Sequence, residues 1–225
     1  MSKVRIAILI SGRGSNMAAL IEAARRPDYP AEVAIVISNR PQAAGLEHAR
    51  SAGIETAVVD HKAYASRDSF DTAVDALLAA KGVALVCLAG FMRILSAPFV
   101  ARWQGRMLNI HPSLLPSFKG LEPQRQALDA GVTISGCTVH LVTEEMDAGP
   151  IIAQAAVPVL PGDDPAALEA RILTAEHKLY PFAVGLLATG AARLVDGQVL
   201  RSGHKSENSR LFVPPLTSDG VSTRG

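Results

Sequence analysis

The chain has 225 residues, of which 48% are hydrophobic and 19% charged, so it can bury a sizeable core, and extensive disorder is excluded. The net charge is only +1, which excludes a global attraction to nucleic acid or to an anionic membrane, and we expect neither as a partner. Two cysteines cannot form the disulfide framework of a small secreted domain and no apolar run is long enough to span a bilayer, so we expect a cytoplasmic protein with free thiols.

Short apolar runs alternate with helical patterns up to Gly90. This alternation predicts parallel strands, and the runs lack a polar face, as expected when helices cover both faces of a sheet. The predicted strands are Val4–Ile10, Glu32–Ile37, Thr56–Val59 and Val83–Leu88, and the predicted helices are one from Asn16, Ala43–Ala52 and Asp68–Ala80.

Beyond Gly90 the pattern is less regular. It predicts a helix Ser96–Arg102, a strand Met107–Ile110, a Pro-rich loop Pro112–Pro123, a helix Gln124–Ala130, and strands Cys137–Val142 and Ile151–Val159. The last two strands are joined by a short acidic turn, Glu144–Gly149, which suggests an antiparallel pair. We therefore expect an α/β fold with an open, mostly parallel twisted sheet, helices on both faces, and an antiparallel strand in the C-terminal half.

A long final helix is predicted after Asp164, because Asp164 can cap a helix whose first residue is Pro165. Pro181 should kink this helix. We expect a single domain over residues 1–200, made of two halves, 1–100 and 101–200. Residues 201–225 should form a loose polar tail.

The segment Ser11–Asn16 lies between the first strand and the first helix, where glycines and free helix N–H groups can hold a phosphate. A tight capped turn is the alternative. The segment is not a dinucleotide fingerprint, because Met17 stands at the third glycine position, and it lacks the Gly-Lys-Ser/Thr of a P-loop.

Asn109 and His111 lie two residues apart at the end of a predicted strand, so their side chains point to the same side. The carboxyl end of a strand in an open α/β sheet faces the ligand crevice. An amide and an imidazole there could stabilise an oxyanion and move a proton. The alternative is a structural histidine beside an asparagine that caps the loop.

The acidic turn Glu144–Gly149 is either a solvated turn or the source of a carboxylate that keeps a nearby histidine protonated. His48, His61, His140 and His177 show no metal-ligand spacing, so we expect no metal site.

Four segments together resemble the phosphoribosylglycinamide formyltransferases, a family of folate-dependent enzymes of purine synthesis. The resemblance runs from about residue 3 to 200 and rests on the order and spacing of the segments as well as on their residues. The segments are Ser11-Gly12-Arg13-Gly14-Ser15-Asn16, Ala89-Gly90-Phe91-Met92-Arg93-Ile94-Leu95, Asn109-Ile110-His111-Pro112-Ser113-Leu114-Leu115-Pro116 and Met146-Asp147-Ala148-Gly149-Pro150.

The resemblance implies a Rossmann-like formyltransferase fold and two small-molecule substrates, glycinamide ribonucleotide and 10-formyltetrahydrofolate. Residues 1–100 would then be the phosphate-binding half of the domain, and residues 101–200 its folate-binding and catalytic half. It implies that the ribonucleotide phosphate is held by Gly14, Ser15 and Asn16, and its ribose or glycinamide part by Glu176. The implied folate-binding residues are Arg67, Met92, Arg93, Ile94, Leu95, Asn109, Thr143, Glu144, Glu145, Met146 and Asp147.

The resemblance also implies the chemistry. The substrate amine attacks the formyl carbon, Asn109 and protonated His111 stabilise the oxyanion, and Asp147 keeps the imidazole charged and oriented. No metal or covalent intermediate is required, and either His111 or a water carries the proton. One departure is Gly120-Leu121-Glu122-Pro123-Gln124, where many relatives carry histidines.

Rival interpretations are a formyltetrahydrofolate hydrolase and a formyltransferase acting on aminoacyl-tRNA or a sugar nucleotide. The hydrolase is expected to carry an extra N-terminal domain and the tRNA enzyme a basic C-terminal domain, and neither is seen here. From a different class, the chain could be a non-catalytic nucleotide-binding module that uses only Ser11–Asn16. A monomer and a homodimer are both compatible with the sequence.

Overall fold

A computed structural model describes residues 2–202 and Val213 of the chain. The strands are β1 (Val4–Ile10), β2 (Ala31–Ser38), β3 (Thr56–Val58), β4 (Leu85–Leu88), β5 (Met107–His111), β6 (Ile134–Leu141), β7 (Ile151–Pro158), β8 (Ala192–Val195) and β9 (Gln198–Arg201). The helices are α1 (Ser15–Arg25), α2 (Gly45–Ser51), α3 (Arg67–Ala80), α4 (Ala97–Arg102), α5 (Pro123–Asp129) and α6 (Pro165–Ala188). The predicted tail lies, apart from Arg201, Ser202 and Val213, outside the described residues.

The first seven strands form one sheet in the order β3-β2-β1-β4-β5-β6-β7. Neighbouring strands are parallel from β3 to β5, whereas β6 is antiparallel to both β5 and β7. This confirms the mostly parallel α/β fold with an antiparallel strand in the C-terminal half. The pairing of β4 with β5 carries the sheet across the predicted boundary between the two halves.

Alternating side chains of β1 build the core on both faces of the sheet. Ile6, Ile8 and Ile10 belong to a buried cluster shared with α1, α2 and α6. Ala7 and Leu9 face a second cluster, built with α3 and α4. The part of β1 from Ile6 to Ile10 is therefore buried on both faces of the sheet, as expected for an apolar run without a polar face.

The structure differs from the predictions mainly in the C-terminal half. β6 begins at Ile134 and not after Gly136, because Gly136 lies inside the strand, where a Cβ would overlap the carbonyl oxygen of Ala155. The hairpin β8–β9 was not predicted. Helix α6 starts as expected, with the Asp164 side chain accepting a hydrogen bond from the Ala167 N–H at 2.8 Å, and it continues through Pro181.

Smaller differences are one or two residues at element ends and a short 3₁₀ helix, His61–Ala63, where no element was predicted. Among residues 2–202, no helix is both long and apolar enough to cross a membrane.

Candidate active site

The site lies where the strand order of the sheet reverses. The strand neighbouring β1 on one side is β2 and on the other is β4, so the chain leaves β1 and β4 in opposite directions around the sheet. The segments after these strands, Ser11–Asn16 and Gly90–Leu95, therefore lie on either side of the reversal at the carboxyl edge, where open α/β sheets bind their ligands. The end of β5, with Asn109 and His111, is next along the same edge.

The Ser11–Asn16 segment leads directly into α1. Gly14 is the residue before the helix and adopts a left-handed conformation with φ 74°, which favours glycine. No side chain caps this end of the helix, so the first N–H groups of α1 are left for another acceptor. Ser15 is half-buried and Asn16 is buried at this end of the helix.

Asn16 and Glu176 form a buried pair although they lie far apart in sequence. The Asn16 Nδ2 donates to Glu176 Oε2 at 2.7 Å. Burial raises the pKa of Glu176 to about 7, the hydrogen bond from Asn16 opposes this shift, and the charge of Glu169 adds to it. Asn16 Oδ1 is also buried and has no hydrogen-bond partner in the described part of the chain. The structure thus brings together two residues predicted to bind one substrate.

Asn109 is oriented by a residue that sequence reasoning did not select. β5 and β6 pair so that Asn109 lies opposite His140. His140 Nδ1 is 3.0 Å from the Leu141 carbonyl oxygen, so this nitrogen carries the proton. Burial lowers the pKa of His140, so the ring is neutral and its Nε2 accepts the hydrogen bond from Asn109 Nδ2 at 3.3 Å. The sequence held no signal for this pair, because it depends on the register of β5 against β6.

His111 lies between two oxygen acceptors. Its Nδ1 is 3.4 Å from Asp147 Oδ2, and its Nε2 is 2.9 Å from the Phe118 carbonyl oxygen. Oxygen acceptors therefore lie near both ring nitrogens. Asp147 Oδ1 also lies 3.8 Å from His140 Nε2, so the three predicted residues Asn109, His111 and Asp147 lie close together around His140.

Asp147 is held in place by backbone geometry. It adopts a left-handed conformation with φ 53°, which a non-glycine residue rarely adopts. The Gly120 N–H donates to Asp147 Oδ2 at 3.0 Å. Two residues further on, a Cβ on Gly149 would overlap the Leu141 carbonyl oxygen, so the close turn requires glycine there.

The remaining predicted residues lie in two surface segments and at the start of α3. In the first segment Met92 and Ile94 are exposed, Leu95 is buried, and the Arg93 guanidinium lies 4.6 Å from the centre of the Phe70 ring. Arg67 is exposed at the first residue of α3.

In the second segment the Thr143 hydroxyl donates to the Glu145 carbonyl oxygen at 3.2 Å, and Glu145 pairs with Lys119 at 3.1 Å. Glu144 and Met146 are exposed. The altered stretch after the Pro-rich loop places Glu122 at φ 52°, exposed, directly before α5. Within the described residues, no group of three or more His, Cys, Asp or Glu side chains is arranged to hold a metal ion.

Comparisons with known proteins match nearly the whole described chain. The family model described as formyl transferase matches residues 4–184. The phosphoribosylglycinamide formyltransferase of Escherichia coli K12 is 43% identical over 202 residues, which are 90% of this chain and 95% of that protein. The crystal structure of glycinamide ribonucleotide transformylase 1 from Symbiobacterium toebii superposes with a TM-score of 0.86 at 51% identity, covering 88% of this chain and 94% of that one.

Longer relatives match as well. The trifunctional purine biosynthetic protein adenosine-3 of Bos taurus is 57% identical over 192 residues, which are 85% of this chain. The matched region spans only 19% of the length of that relative.

Proposed function

The chain belongs to the formyl transferase family, and we propose that it transfers the formyl group of 10-formyltetrahydrofolate to the amino group of 5'-phosphoribosylglycinamide. The products are formylglycinamide ribonucleotide and tetrahydrofolate, in a step of purine biosynthesis. The observation that carries the proposal is the grouping of Asn109, His111 and Asp147. Asn109 and His111 lie at the carboxyl end of β5, and His111 Nδ1 is 3.4 Å from Asp147 Oδ2.

The ribonucleotide is proposed to bind at the start of α1. Free N–H groups after Gly14 and the positive end of the helix favour its phosphate, with Ser15 as a further donor. The buried pair of Asn16 and Glu176 offers an amide oxygen without a partner and a carboxyl group, both suited to the hydroxyls or the amine of the substrate. Burial raises the pKa of Glu176 to about 7, and the protonated carboxyl group that this favours costs less to bury than a carboxylate.

The folate is proposed to bind along Met92–Leu95 and the Thr143–Asp147 segment. Met92, Ile94 and Met146 expose apolar surface that suits a flat heteroaromatic ring. The exposed guanidinium of Arg67 suits a carboxylate of the glutamate part. Folate is a substrate in this reaction, which binds and leaves in each turnover, and not a permanently bound cofactor.

The proposed reaction begins when the neutral amine forms a bond to the formyl carbon and the carbonyl electrons move onto oxygen. A protonated His111 and the free amide hydrogen of Asn109 stabilise the oxyanion, and Asp147 holds the ring. Collapse then breaks the bond from the formyl carbon to the folate nitrogen. That nitrogen takes up a proton as the attacking amine loses one, with His111 or a water as the carrier.

His140 is proposed to act on this step through Asn109. A neutral ring with Nε2 as acceptor binds one hydrogen of the Asn109 amide, so the amide cannot turn its nitrogen away from His140. The second amide hydrogen then stays directed away from His140 and available to a ligand. No metal and no covalent intermediate is needed, because the amine is itself the nucleophile and the oxyanion is met by hydrogen-bond donors.

We further propose that the enzyme works in the cytoplasm, as a monomer or a homodimer, on small-molecule substrates. Both cysteines are buried and free, as expected where thiols stay reduced.

The test mixes purified protein with 10-formyltetrahydrofolate, with and without the ribonucleotide, and follows deformylation by absorbance. Loss of formyl only when the ribonucleotide is present supports the transferase. Loss without the ribonucleotide indicates a hydrolase, and no loss in either mixture contradicts the proposal.

A further inference from the structure

The Met92–Leu95 segment is tied down at both ends by buried side chains. At one end the Met92 N–H donates to Ser11 Oγ at 2.7 Å, and Ser11 is 4% exposed. At the other end the Ser96 N–H donates to Asp71 Oδ2 at 2.6 Å, and Asp71 is 2% exposed. Asp71 lies in none of the sequence motifs, and Ser11 lies in the Ser11–Asn16 motif but was assigned no role of its own.

Between these anchors the backbone is open. The N–H and carbonyl groups of residues 93–95 make no hydrogen bond to protein atoms in the described part of the chain. Backbone groups near a protein surface are normally satisfied by protein, water or a ligand. The segment therefore presents a short strip of donors and acceptors, which we call the open strip, to whatever enters the crevice.

Ser11 holds its end of the open strip by three hydrogen bonds. Its hydroxyl donates to Asn39 Oδ1 at 2.6 Å, so the hydroxyl oxygen is left to accept the Met92 N–H. Its own backbone N–H donates to the Gly90 carbonyl oxygen at 3.1 Å. Ser11 is also the first residue of the phosphate-binding segment, so one side chain joins the two proposed substrate sites.

Asp71 holds the other end from the middle of α3. It lies on the apolar face of that helix, between the buried residues Phe70 and Val74. A buried carboxylate on such a face is costly unless hydrogen bonds satisfy it, and its Oδ1 has no hydrogen-bond partner in the described part of the chain. Packing alone favours an apolar residue at this position. The carboxylate of Asp71 differs from an apolar side chain in accepting the hydrogen bond from the Ser96 N–H.

We propose that Ser11 and Asp71 are positioning residues that keep the open strip in its present conformation, so that folate binds to preformed backbone donors and acceptors. The inference rests on the proposed function, because it assigns folate as the ligand of the strip. Without the anchors, the strip must be ordered by the ligand itself, and the free energy of ordering is lost from binding. The effect should fall on folate affinity more than on the chemical step.

The first test compares Asp71→Ala with Asp71→Asn. Removing the acceptor should raise the KM for 10-formyltetrahydrofolate about tenfold, with kcat and the KM for the ribonucleotide within about twofold of wild type. Asparagine keeps an acceptor oxygen and should restore the folate KM. A merely structural role of Asp71 predicts no such split between the two substrates.

Asp75→Ala is the matched control, because Asp75 lies one turn further along the same helix. Its carboxylate accepts hydrogen bonds from Arg102 at 2.9 Å and from Trp103 Nε1 at 3.0 Å, so it joins α3 to α4 without touching the open strip. The control should lower stability and leave the folate KM within about twofold of wild type.

Calorimetric titration of each variant with a non-reactive folate analogue separates the two proposals. If the wild type does not bind the analogue, the proposed function fails. If the wild type binds it, the positioning inference is overturned by equal binding to Asp71→Ala, by weak binding to Asp71→Asn, or by an equal loss in Asp75→Ala.

Ser11→Ala provides an independent route, and it carries the test should Asp71→Ala not fold. It removes the acceptor for Met92 and should raise the folate dissociation constant about tenfold. Unchanged folate binding in folded Ser11→Ala contradicts the inference.

Discussion

Both ring nitrogens of His111 lie close to protein oxygens, and this constrains how the residue could act. Asp147 faces Nδ1, and the Phe118 carbonyl oxygen faces Nε2 at 2.9 Å. With Asp147 in its proposed role of orienting the ring, the hydrogen bond to Phe118 is the one that a developing oxyanion would replace. Phe118 adopts a left-handed conformation with φ 56°, which is costly for an aromatic residue. A rotation of this peptide that moves its carbonyl away from His111 would relieve the strain.

Replacing His111 with alanine should lower kcat by roughly 10²–10⁴, as the loss of a general acid or an oxyanion donor does. His48→Ala is the control, because His48 is an exposed histidine on α2. Steady-state kinetics on folded protein, checked by circular dichroism, provide the measurement. Near-normal turnover of His111→Ala would remove His111 from the mechanism.

Glu176 should make stability depend on pH. Burial raises its pKa from 4.5 to about 7 in the folded protein, so folding favours the protonated form. The resulting stability is complete below pH 4.5 and is lost as the pH rises through about 7. Relative to a variant without this titration, wild type should lose up to about 3 kcal/mol between pH 5 and pH 8.

Glu176→Gln is that variant, since glutamine stays neutral at every pH. The free energy of unfolding in urea, measured at pH 5 and pH 8, should fall more for wild type than for Glu176→Gln. Glu22→Gln, at an exposed position of α1, should follow wild type. Equal pH dependence in wild type and Glu176→Gln contradicts a raised pKa.

The hairpin β8–β9 covers part of the sheet edge formed by β7. Edge strands present unpaired carbonyl groups, which proteins commonly cover. Arg201 in β9 donates from Nε to the Ile152 carbonyl oxygen at 2.8 Å and from Nη2 to that of Ile151 at 2.7 Å. Ile151 and Ile152 are the first residues of β7 and follow the turn that carries Asp147. The two hydrogen bonds from Arg201 therefore fix the backbone next to the proposed catalytic loop.

Arg201→Ala should therefore lower the free energy of unfolding by about 1 kcal/mol and speed amide hydrogen exchange at the start of β7. Arg193→Ala removes an exposed arginine of β8 in the same hairpin and should change stability by less than about 0.5 kcal/mol. Equal effects of the two variants on β7 exchange would show that the guanidinium of Arg201 does not hold this edge.

Element boundaries were predictable wherever periodicity or a cap marked them. Asp164 and Pro165 predicted the start of α6, and the strand predicted at Val4–Ile10, around the apolar run Ile6–Ile10, agrees with β1 residue for residue. Gly136 misled the prediction of β6, because an isolated glycine resembles a turn in sequence but can also mark a close approach of two strands. The hairpin β8–β9 carries only short, weakly alternating strands, which periodicity detects poorly.

For the molecule as a whole, the two cysteines report on global unfolding. Cys87 in β4 and Cys137 in β6 are 0% exposed, and burial raises the pKa of each thiol to about 12. The reactive thiolate is therefore scarce in the folded protein.

Labelling by a thiol-specific disulfide reagent at pH 8 should be slower than that of a free cysteine by about 10³ or more. Both thiols should become reactive together as urea unfolds the chain. Rapid labelling of one cysteine in native buffer would instead reveal local opening of its strand.

The sequence by itself determined the alternation of strands and helices, the mostly parallel sheet, and the presence of Asn109 and His111 on one side of β5. These features depend on short-range periodicity and on side-chain types, which are readable along the chain. Only the tertiary structure decided that His140 faces Asn109, that Asn16 meets Glu176, and that Asp71 and Ser11 hold the open strip. Each of these contacts joins residues distant in sequence, because it depends on strand register and helix packing, which no local pattern encodes.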